Sequence, residues 1–192
     1  TGCAVLYING KYVGYTQGSH FQAEFKITKY ASLGENRVRV YVYKWCCGSY
    51  LECQDMFRHN GIFRDVYVLS REKGHIKNID IKTIDNHKII VSTDKKAIIS
   101  LYDKENLIAT GVGTNCTFEV ENPILWNAEH PYLYKVVCKR GDEIIEQRVG
   151  LRTVSVSSKN EILVNGTPIK IKGVNHHDTS LRGFCMTEEE LR

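Results

Sequence analysis

The stretch WCCGSYLECQDMFRHNGIFRDV, residues 45–66, is the densest in the chain. It carries Cys46, Cys47 and Cys53, with acids, arginines and aromatics around a Gly-Ser turn. A metal site, a disulfide framework, a thiol nucleophile or the lining of a pocket could each use such cysteines. Structural zinc sites favour Cys-x2–4-Cys pairs. An adjacent pair followed by Cys53 departs from that spacing, even with His59 nearby, and neighbours on a strand point to opposite faces. A nucleophilic thiol needs a base or cation beside it, and only Lys44 and His59 are near in sequence. The seven cysteines, at 3, 46, 47, 53, 116, 138 and 185, are odd in number and irregular in spacing. Disulfide scaffolds are shorter and denser in cysteine. The expectation is reduced, buried thiols in a cytoplasmic protein, and no metal site.

Outward from this stretch the chain reads as strands. VLYINGKYVGY places Asn9-Gly10 between two apolar runs, the signal of a type I′ hairpin. NRVRVYVYKW alternates Val38, Val40 and Val42 with Arg37, Arg39 and Tyr41, a half-buried strand with one wet face. GIFRDVYVL reads as another strand. After SREKGH the pattern restarts with HIKNIDIKT, HKIIVST, AIISLYD, NCTFEV, YLYKVVCKR and EIIEQRVGLR. Six or seven strands in this region predict a small antiparallel sandwich of immunoglobulin type, with Arg140-Gly141-Asp142 as its last hairpin turn. A third register opens near residue 153. It has a second hairpin at Asn165-Gly166, then IKIKGVN, a strand expected to be buried on both faces. Thr187 and Glu190 form a capping box that starts a helix.

Composition narrows the partners. The 192 residues carry a net charge of +4, from 26 basic and 22 acidic side chains. No run of Lys or Arg exceeds two, so no basic stripe invites nucleic acid. No apolar stretch approaches the ~20 residues of a membrane span. The chain opens on TGCAVLYING, already in a strand pattern, and reads as a piece of a longer polypeptide.

Four segments together carry a family resemblance. GSYLECQDMFRHNGIFRDV resembles a segment of the bacterial β-galactosidases of glycoside hydrolase family 2. That segment usually reads Asp-Gly-Ser-Tyr-Leu-Glu-Asp-Gln-Asp-Met-Trp-Arg, then Gly-Ile-Phe-Arg-Asp-Val. LYINGKYVGYTQGSHFQAEFKIT resembles the hairpin before it. ENPILWNAEHPYLY, and VGLRTV with ILVNGTPIKIKGVNHHD, resemble later segments in the same order.

The resemblance implies an all-β fold over most of the chain. Residues 1–72 would be the C-terminal half of a jelly-roll sugar-binding domain, a partial sandwich. Residues 73–152 would be an immunoglobulin-like β-sandwich. Residues 153–192 would be the opening hairpin, first strand and first helix cap of a truncated (β/α)8 catalytic barrel, since a whole barrel needs ~200 residues or more. The strand pattern changes register at the same points.

The implied activity is retaining hydrolysis of terminal β-galactosides. The family's two catalytic glutamates lie on later barrel strands, so no catalytic residue is expected here. Glu52, Asp55, Asp65, Asp178 and Glu188 to Glu190 match no catalytic position. His177 matches the histidine of Asn-x-His that contacts the sugar, and an imidazole can donate and accept hydrogen bonds to hydroxyls. Asn175 is a weaker substrate-side candidate that shapes the loop. Cys47 takes the place of an aspartate that binds galactose and sodium. Sulfur is soft where alkali ions want hard oxygen, which puts the sodium site in question. The family also uses magnesium, and this stretch implies no cofactor of its own. Implied partners are β-galactoside sugars, the remaining jelly roll and the barrel of the same polypeptide, and a second copy in a homo-oligomer. Half a sandwich leaves an apolar face and open edges. Trp45 and Tyr50 are expected to be packed and Trp126 to plug the sandwich end. A stand-alone carbohydrate-binding module of two sandwiches is the alternative reading.

Overall fold

The computed structural model describes residues 2–18, 21–52, 60–176 and 186–191. The chain divides into two compact units. One takes residues 1–68 with 174–192, the other residues 69–173.

In the first unit, β1 (Cys3–Ile8), β2 (Lys11–Gln17) and β3 (Val38–Tyr43) form an antiparallel sheet in the order β2-β1-β3. The hairpin falls at Asn9-Gly10 as the sequence signals, with φ of 52° and 79°. Asn9 also reaches beyond its own turn. Its N–H donates to the Arg37 carbonyl at 2.9 Å, and its Oδ1 accepts the Arg37 N–H at 2.9 Å. Its Nδ2 donates to the Tyr30 carbonyl at 3.0 Å. The hairpin is thereby tied to the residue that leads into β3.

Pairing starts in simple register at Ile8↔Lys11 and Tyr7↔Tyr12, then shifts to Leu6↔Gly14. Val13 is left without an opposite residue, a one-residue bulge. Beyond it Cys3 faces Gln17 rather than Thr16. The Phe25 ring lies 2.8 Å from where a Cβ on Gly14 would stand, a close approach that a bare backbone permits.

Two expectations fail here. β3 forms, but at the edge of the sheet: Val38 and Val42 are exposed and only Val40 is half-buried, while Ile8 of β1, opposite Val38, is buried. Residues 61–69, expected as a strand, carry no ladder. Alternation makes a segment fit for a strand, but a strand exists only where a neighbour completes its hydrogen bonds. The unit also holds α1 (Gly48–Leu51) and α2 (Glu188–Leu191). The Thr187 N–H donates to the Glu190 carboxylate at 2.8 Å, half of the expected capping box.

The second unit is built on β4 (Ile79–Ile84), β5 (Lys88–Asp103), β6 (Asn106–Glu119), β7 (Tyr134–Arg140) and β8 (Glu143–Val149). β5 and β6 form one long hairpin. β4 pairs with residues 88–93 of β5, and β7 with residues 98–102. β5 therefore serves two sheet halves, and β6 follows it through both. The expected strands HKIIVST and AIISLYD are one strand, so this sheet has five strands. No Gly or Pro stands at 94–96 to turn the chain. The ladder jumps instead from Ser92↔Asn115 to Ala97↔Gly113. Asp94 Oδ1 fills the break by accepting the N–H groups of Lys77 and Asn78, at 2.7 and 3.1 Å.

The side-chain parity survives the break. Ile89, Val91, Ala97, Ile99 and Leu101 are all buried. They pack with Cys116 and Phe118 of β6, with Tyr134, Val136 and Cys138 of β7, and with Ile76, Val120 and Leu151. The result is a sandwich of antiparallel strands around one core. The Gly141-Asp142 turn joins β7 to β8 as expected. Trp126 is half-buried, lies on Gly150 and carries the Arg152 guanidinium 4.4 Å above its ring. Leu125, not Trp126, packs on the core.

β9 (Val154–Val156), β10 (Ile162–Val164) and β11 (Thr167–Pro168) make a second three-stranded sheet, joined at Asn165-Gly166 with φ of 52° and 77°. Asn165 repeats the device of Asn9. Its N–H donates to the Thr153 carbonyl at 3.0 Å. Its Oδ1 accepts the Thr153 N–H at 3.1 Å, and its Nδ2 donates to the Trp126 carbonyl at 3.0 Å. Residues 169–175, expected as a barrel strand buried on both faces, form no strand: their one backbone bond to a described strand runs from the Ile169 N–H to the Ile162 carbonyl at 2.9 Å, and Val174 is 90% exposed.

A charged clasp closes the second unit. The Arg71 guanidinium pairs with the Glu143 carboxylate and donates to the Ile76 carbonyl at 2.7 Å. Glu143 accepts the Ile76 N–H at 2.9 Å. That N–H, and then Arg71, hold Glu143 below the usual carboxylate range. The N–H groups of Asn78 and Lys77 do the same for Asp94. A depressed carboxylate contributes stability above its unfolded pKa, about 4, and loses it as pH falls through the folded value. Urea unfolding followed across a pH series should show stability falling below about pH 4. Glu143→Gln should cost ~1–2 kcal/mol at neutral pH and flatten the acid slope; an unchanged slope would remove Glu143 from the account.

Candidate functional site

Past Tyr43 the chain turns back on itself through residues 46–52. The Ser49 N–H donates to the Cys46 carbonyl at 3.0 Å, Tyr50 to Cys47 at 3.3 Å and Glu52 to Gly48 at 2.8 Å. Ser49 pins the turn from inside. It is 1% exposed, and its hydroxyl accepts the Cys46 N–H at 3.1 Å and lies 3.7 Å from the Cys46 sulfur. A buried hydroxyl must find partners, and these are its partners.

The turn lays Cys46 and Cys47 against the end of the sheet where Cys3 and Gln17 are paired. The Cys47 thiol donates to Gln17 Oε1 at 3.3 Å. The same oxygen accepts the Tyr15 hydroxyl at 2.5 Å. Cys3, buried, stands opposite Gln17 in the ladder. Burial pushes the Cys3 thiol up. The Ser49 hydroxyl pulls the Cys46 thiol down against its own burial, helped by the N–H groups of Ser49 and Gly48. Loss of water around its hydroxyl, then the Cys3 contact, push Tyr15 up to about 12.

Trp45 and Tyr50 flank the turn as a stacked pair, 6.4 Å between centroids and 29° between planes. They are 55% and 79% exposed, not packed in a core as expected. The turn lifts both rings off the sheet, so each finds the other rather than an apolar interior. On the sheet, Tyr7, Tyr41 and Tyr43 with Arg37 and Arg39 line an open depression of about 760 Å³.

This arrangement offers hydroxyl-binding groups beside exposed aromatic faces. It offers no carboxylate among Cys3, Tyr15, Gln17, Cys46 and Cys47. Gln17 Oε1 already accepts two hydrogen bonds, and Cys47 brings sulfur, a soft ligand, to this position. Among the described residues no three of His, Cys, Asp or Glu are placed to share an ion, and no helix is long and apolar enough to cross a membrane.

Of the residues singled out from sequence, Cys47 lies exposed at this turn and Asn175 lies exposed in an irregular segment. His177, Asp178, Cys53, Cys185 and His59 lie outside the described residues. The expectation of buried thiols holds for Cys3, Cys116 and Cys138. It fails for the half-buried Cys46 and the exposed Cys47, which sit on a turn rather than a strand. Sequence reasoning reads Cys3 only as one more buried thiol and Tyr15 as a core aromatic, and passes over Gln17. The Asn9-Gly10 hairpin brings β1 and β2 together, but the Val13 bulge decides which β2 residues share a face with Cys3. In the folded, reduced chain an alkylating reagent should label Cys47 first, and Cys116 and Cys138 only on unfolding. Equal labelling of all three by mass spectrometry would contradict the burial.

Comparison with known proteins follows the two units in outline. The sugar binding domain of the glycosyl hydrolases family 2 matches residues 1–72, and a second domain described as glycosyl hydrolases family 2 matches residues 65–152. The β-galactosidase of Staphylococcus xylosus is 38% identical over 97% of this chain. That of Actinobacillus pleuropneumoniae is 38% identical over 96%. The chain spans about one fifth of the length of these curated relatives, 20% of each. Among solved structures, the apo β-glucuronidase of Ruminococcus gnavus superposes with a TM-score of 0.78. It is 23% identical, and the match covers 95% of this chain and 36% of that one. The β-D-glucuronidase of Dictyoglomus thermophilum gives 0.70 at 22% identity, over 97% and 38%. At such identities the likeness is one of fold.

Proposed function

Since the chain belongs to glycosyl hydrolases family 2, we propose that it serves a β-galactosidase as its sugar-binding and immunoglobulin-like portion. The enzyme removes terminal β-galactosyl groups with retention. One observation carries the substrate: the match to proteins named β-galactosidase, at 38% identity, runs through 97% of this chain. The likeness to β-glucuronidases supports the fold and leaves the sugar to the sequence match.

Retention requires two carboxyl groups ~5–5.5 Å apart, one as nucleophile and one as acid and base. By the family resemblance both come from barrel strands other than those named above. The role left to this chain is to position and to bind. The turn at 46–52 presents Cys47 toward the glycone, with Gln17 and Tyr15 fixing the direction of its thiol. His177 supplies an imidazole to a sugar hydroxyl, and Asn175 shapes its loop. Residues 153–192 lead into the barrel. The full-length enzyme should hydrolyse an aryl β-galactoside in preference to the matching β-glucuronide. His177→Ala should raise KM. The 192-residue chain alone should turn over neither substrate. Preference for the glucuronide would reject the substrate, and turnover by the isolated chain would reject the division of labour.

The family's sodium is the point of departure. The Cys47 S–H is given to Gln17, so its sulfur meets a sugar hydroxyl as a weak acceptor and, as a soft ligand, does not anchor a hard ion. Replacing potassium by sodium should leave the activity of the full-length enzyme unchanged. Cys47→Asp should introduce a sodium-dependent fall in KM. A strong sodium response with Cys47 intact, measured as KM against sodium concentration, would show that other oxygens complete the site.

A further inference from the structure

The two faces of the β2-β1-β3 sheet carry different chemistry. Opposite residues in an antiparallel ladder share a face, so the register sorts them. One face takes Leu6 and Ile8 with Val38 and Val40, and Phe25 closes on it at Gly14. The other face is built in rows. Tyr12, Tyr7 and Arg39 stand side by side in one row, and Tyr15, Val5 and Tyr41 in the next. Arg37 and Tyr43 extend it along β3 on either side. We propose that this tyrosine and arginine face binds an acidic polysaccharide, a chain of uronate sugars laid along β3. The assignment to sugar rests on the proposed place of residues 1–72 in a galactosidase, as its sugar binding domain.

The rings are open and already ordered. Tyr12, Tyr41 and Tyr43 are 55%, 44% and 52% exposed. Tyr7 meets Tyr12 edge to face at 5.8 Å and Tyr41 at 5.7 Å, so these rings have little freedom left to lose when a ligand arrives. The C–H side of a pyranose is its apolar side. An exposed ring takes that side by dispersion, while the phenol hydroxyls reach sugar hydroxyls. The charge is positive and unmatched. Arg37 and Arg39 line the depression of about 760 Å³ together with Tyr7, Tyr41 and Tyr43, and among the described residues no carboxylate lines it. Arg39 donates one N–H to the Tyr41 hydroxyl at 3.2 Å and holds its guanidinium 6.0 Å from the centre of that ring. Neither arginine pairs with an acid among the described residues. A guanidinium takes a carboxylate on two parallel N–H bonds, and both groups here keep N–H bonds to give.

Spacing and charge select a chain of acids over the other occupants of such a face. Arg37 and Arg39 are two residues apart on one strand, roughly 6.5 Å, and so hold two carboxylates in series rather than one. A second copy of the protein is a poor occupant. A two-fold contact places the same patch on both sides, and this patch would set four guanidinium groups against one another. β3 lies at the edge of the sheet, which leaves room for a ligand longer than the depression itself.

The test is calorimetric titration of the full-length enzyme with an oligogalacturonate, with its methyl ester, and with an oligothymidylate of equal charge. The acid should bind about tenfold more tightly than the ester, and added salt should erase that advantage. Arg37→Gln combined with Arg39→Gln should bring the acid down to the ester, and Tyr41→Ala should weaken both. Asn9 is held by the backbone of Arg37 and not by its side chain, so the double variant keeps the hairpin. No binding of the acid, equal affinity for acid and ester, an unchanged double variant, or an oligothymidylate bound as tightly as the uronate would each overturn the proposal. Should a variant fail to fold, the comparison of acid with ester on the unsubstituted enzyme decides. Hydrolysis of an aryl β-galactoside, followed in the same samples, reports on the proposed activity and not on this face.

Discussion

Both three-stranded sheets hang on an asparagine held in the left-handed conformation. A two-stranded hairpin is marginal in water, and a third strand is what makes it a sheet. Asn9 and Asn165 each occupy the first position of a two-residue turn with φ of 52°. There the side chain projects sideways, toward the strand that is not part of the hairpin. Each accepts one backbone N–H from that side, from Arg37 or Thr153. Each donates its amide to a further carbonyl, of Tyr30 or Trp126. Aspartate lacks the donor and glycine lacks both groups, so asparagine alone suits the turn and the latch together. From the first latch follows the course of residues 37–43. From that course follow the turn at 46–52, the burial of Ser49 and the direction of Cys47.

The second unit solves a different problem. Its long hairpin must serve two layers without breaking, and every odd residue from Ile89 to Leu101 that points inward must do so on both sides of the irregularity at 93–96. A slip of one residue would turn the whole inner face outward. The ladder instead gains three residues on β5 between Ser92 and Ala97, relative to the step from Asn115 to Gly113 on β6, so the odd positions of β5 stay inward while the inward positions of β6 change from even, Cys116 and Phe118, to odd, with Ala109 opposite Leu101. Asp94 steadies the irregular segment by accepting two N–H groups from the chain before β4, and the Arg71–Glu143 clasp ties that same lead-in to β8. The sandwich thus rests on buried aliphatic side chains, with a few charged groups fixing its edges.

Membership of glycosyl hydrolases family 2 gives these devices a purpose. The proposed site is one turn, pinned from beneath by a buried hydroxyl and oriented by a carboxamide. On that proposal it carries a thiol where the family resemblance implies an acid. The substitution exchanges a hard, charged ligand for a soft, neutral donor.

Local features are legible in the order of residues alone. Asn9-Gly10, Asn165-Gly166 and Gly141-Asp142 mark turns because backbone dihedrals at two residues depend on those residues and little else. The family segments are legible for a similar reason, since they are runs of residue types in order. What the chain cannot announce depends on partners far away in sequence. The bulge at Val13 chooses Gln17 over Thr16 as the neighbour of Cys3. The missing Gly or Pro at 94–96 is visible, but only the ladder with β6 makes two expected strands one. Residues 61–69 and 169–175 have strand-like alternation and no strand, and Trp45 and Tyr50 look like core and stand in solvent. Alternation and hydrophobicity state what a segment can do. Register and burial are properties of pairs, and tertiary structure alone assigns the pair.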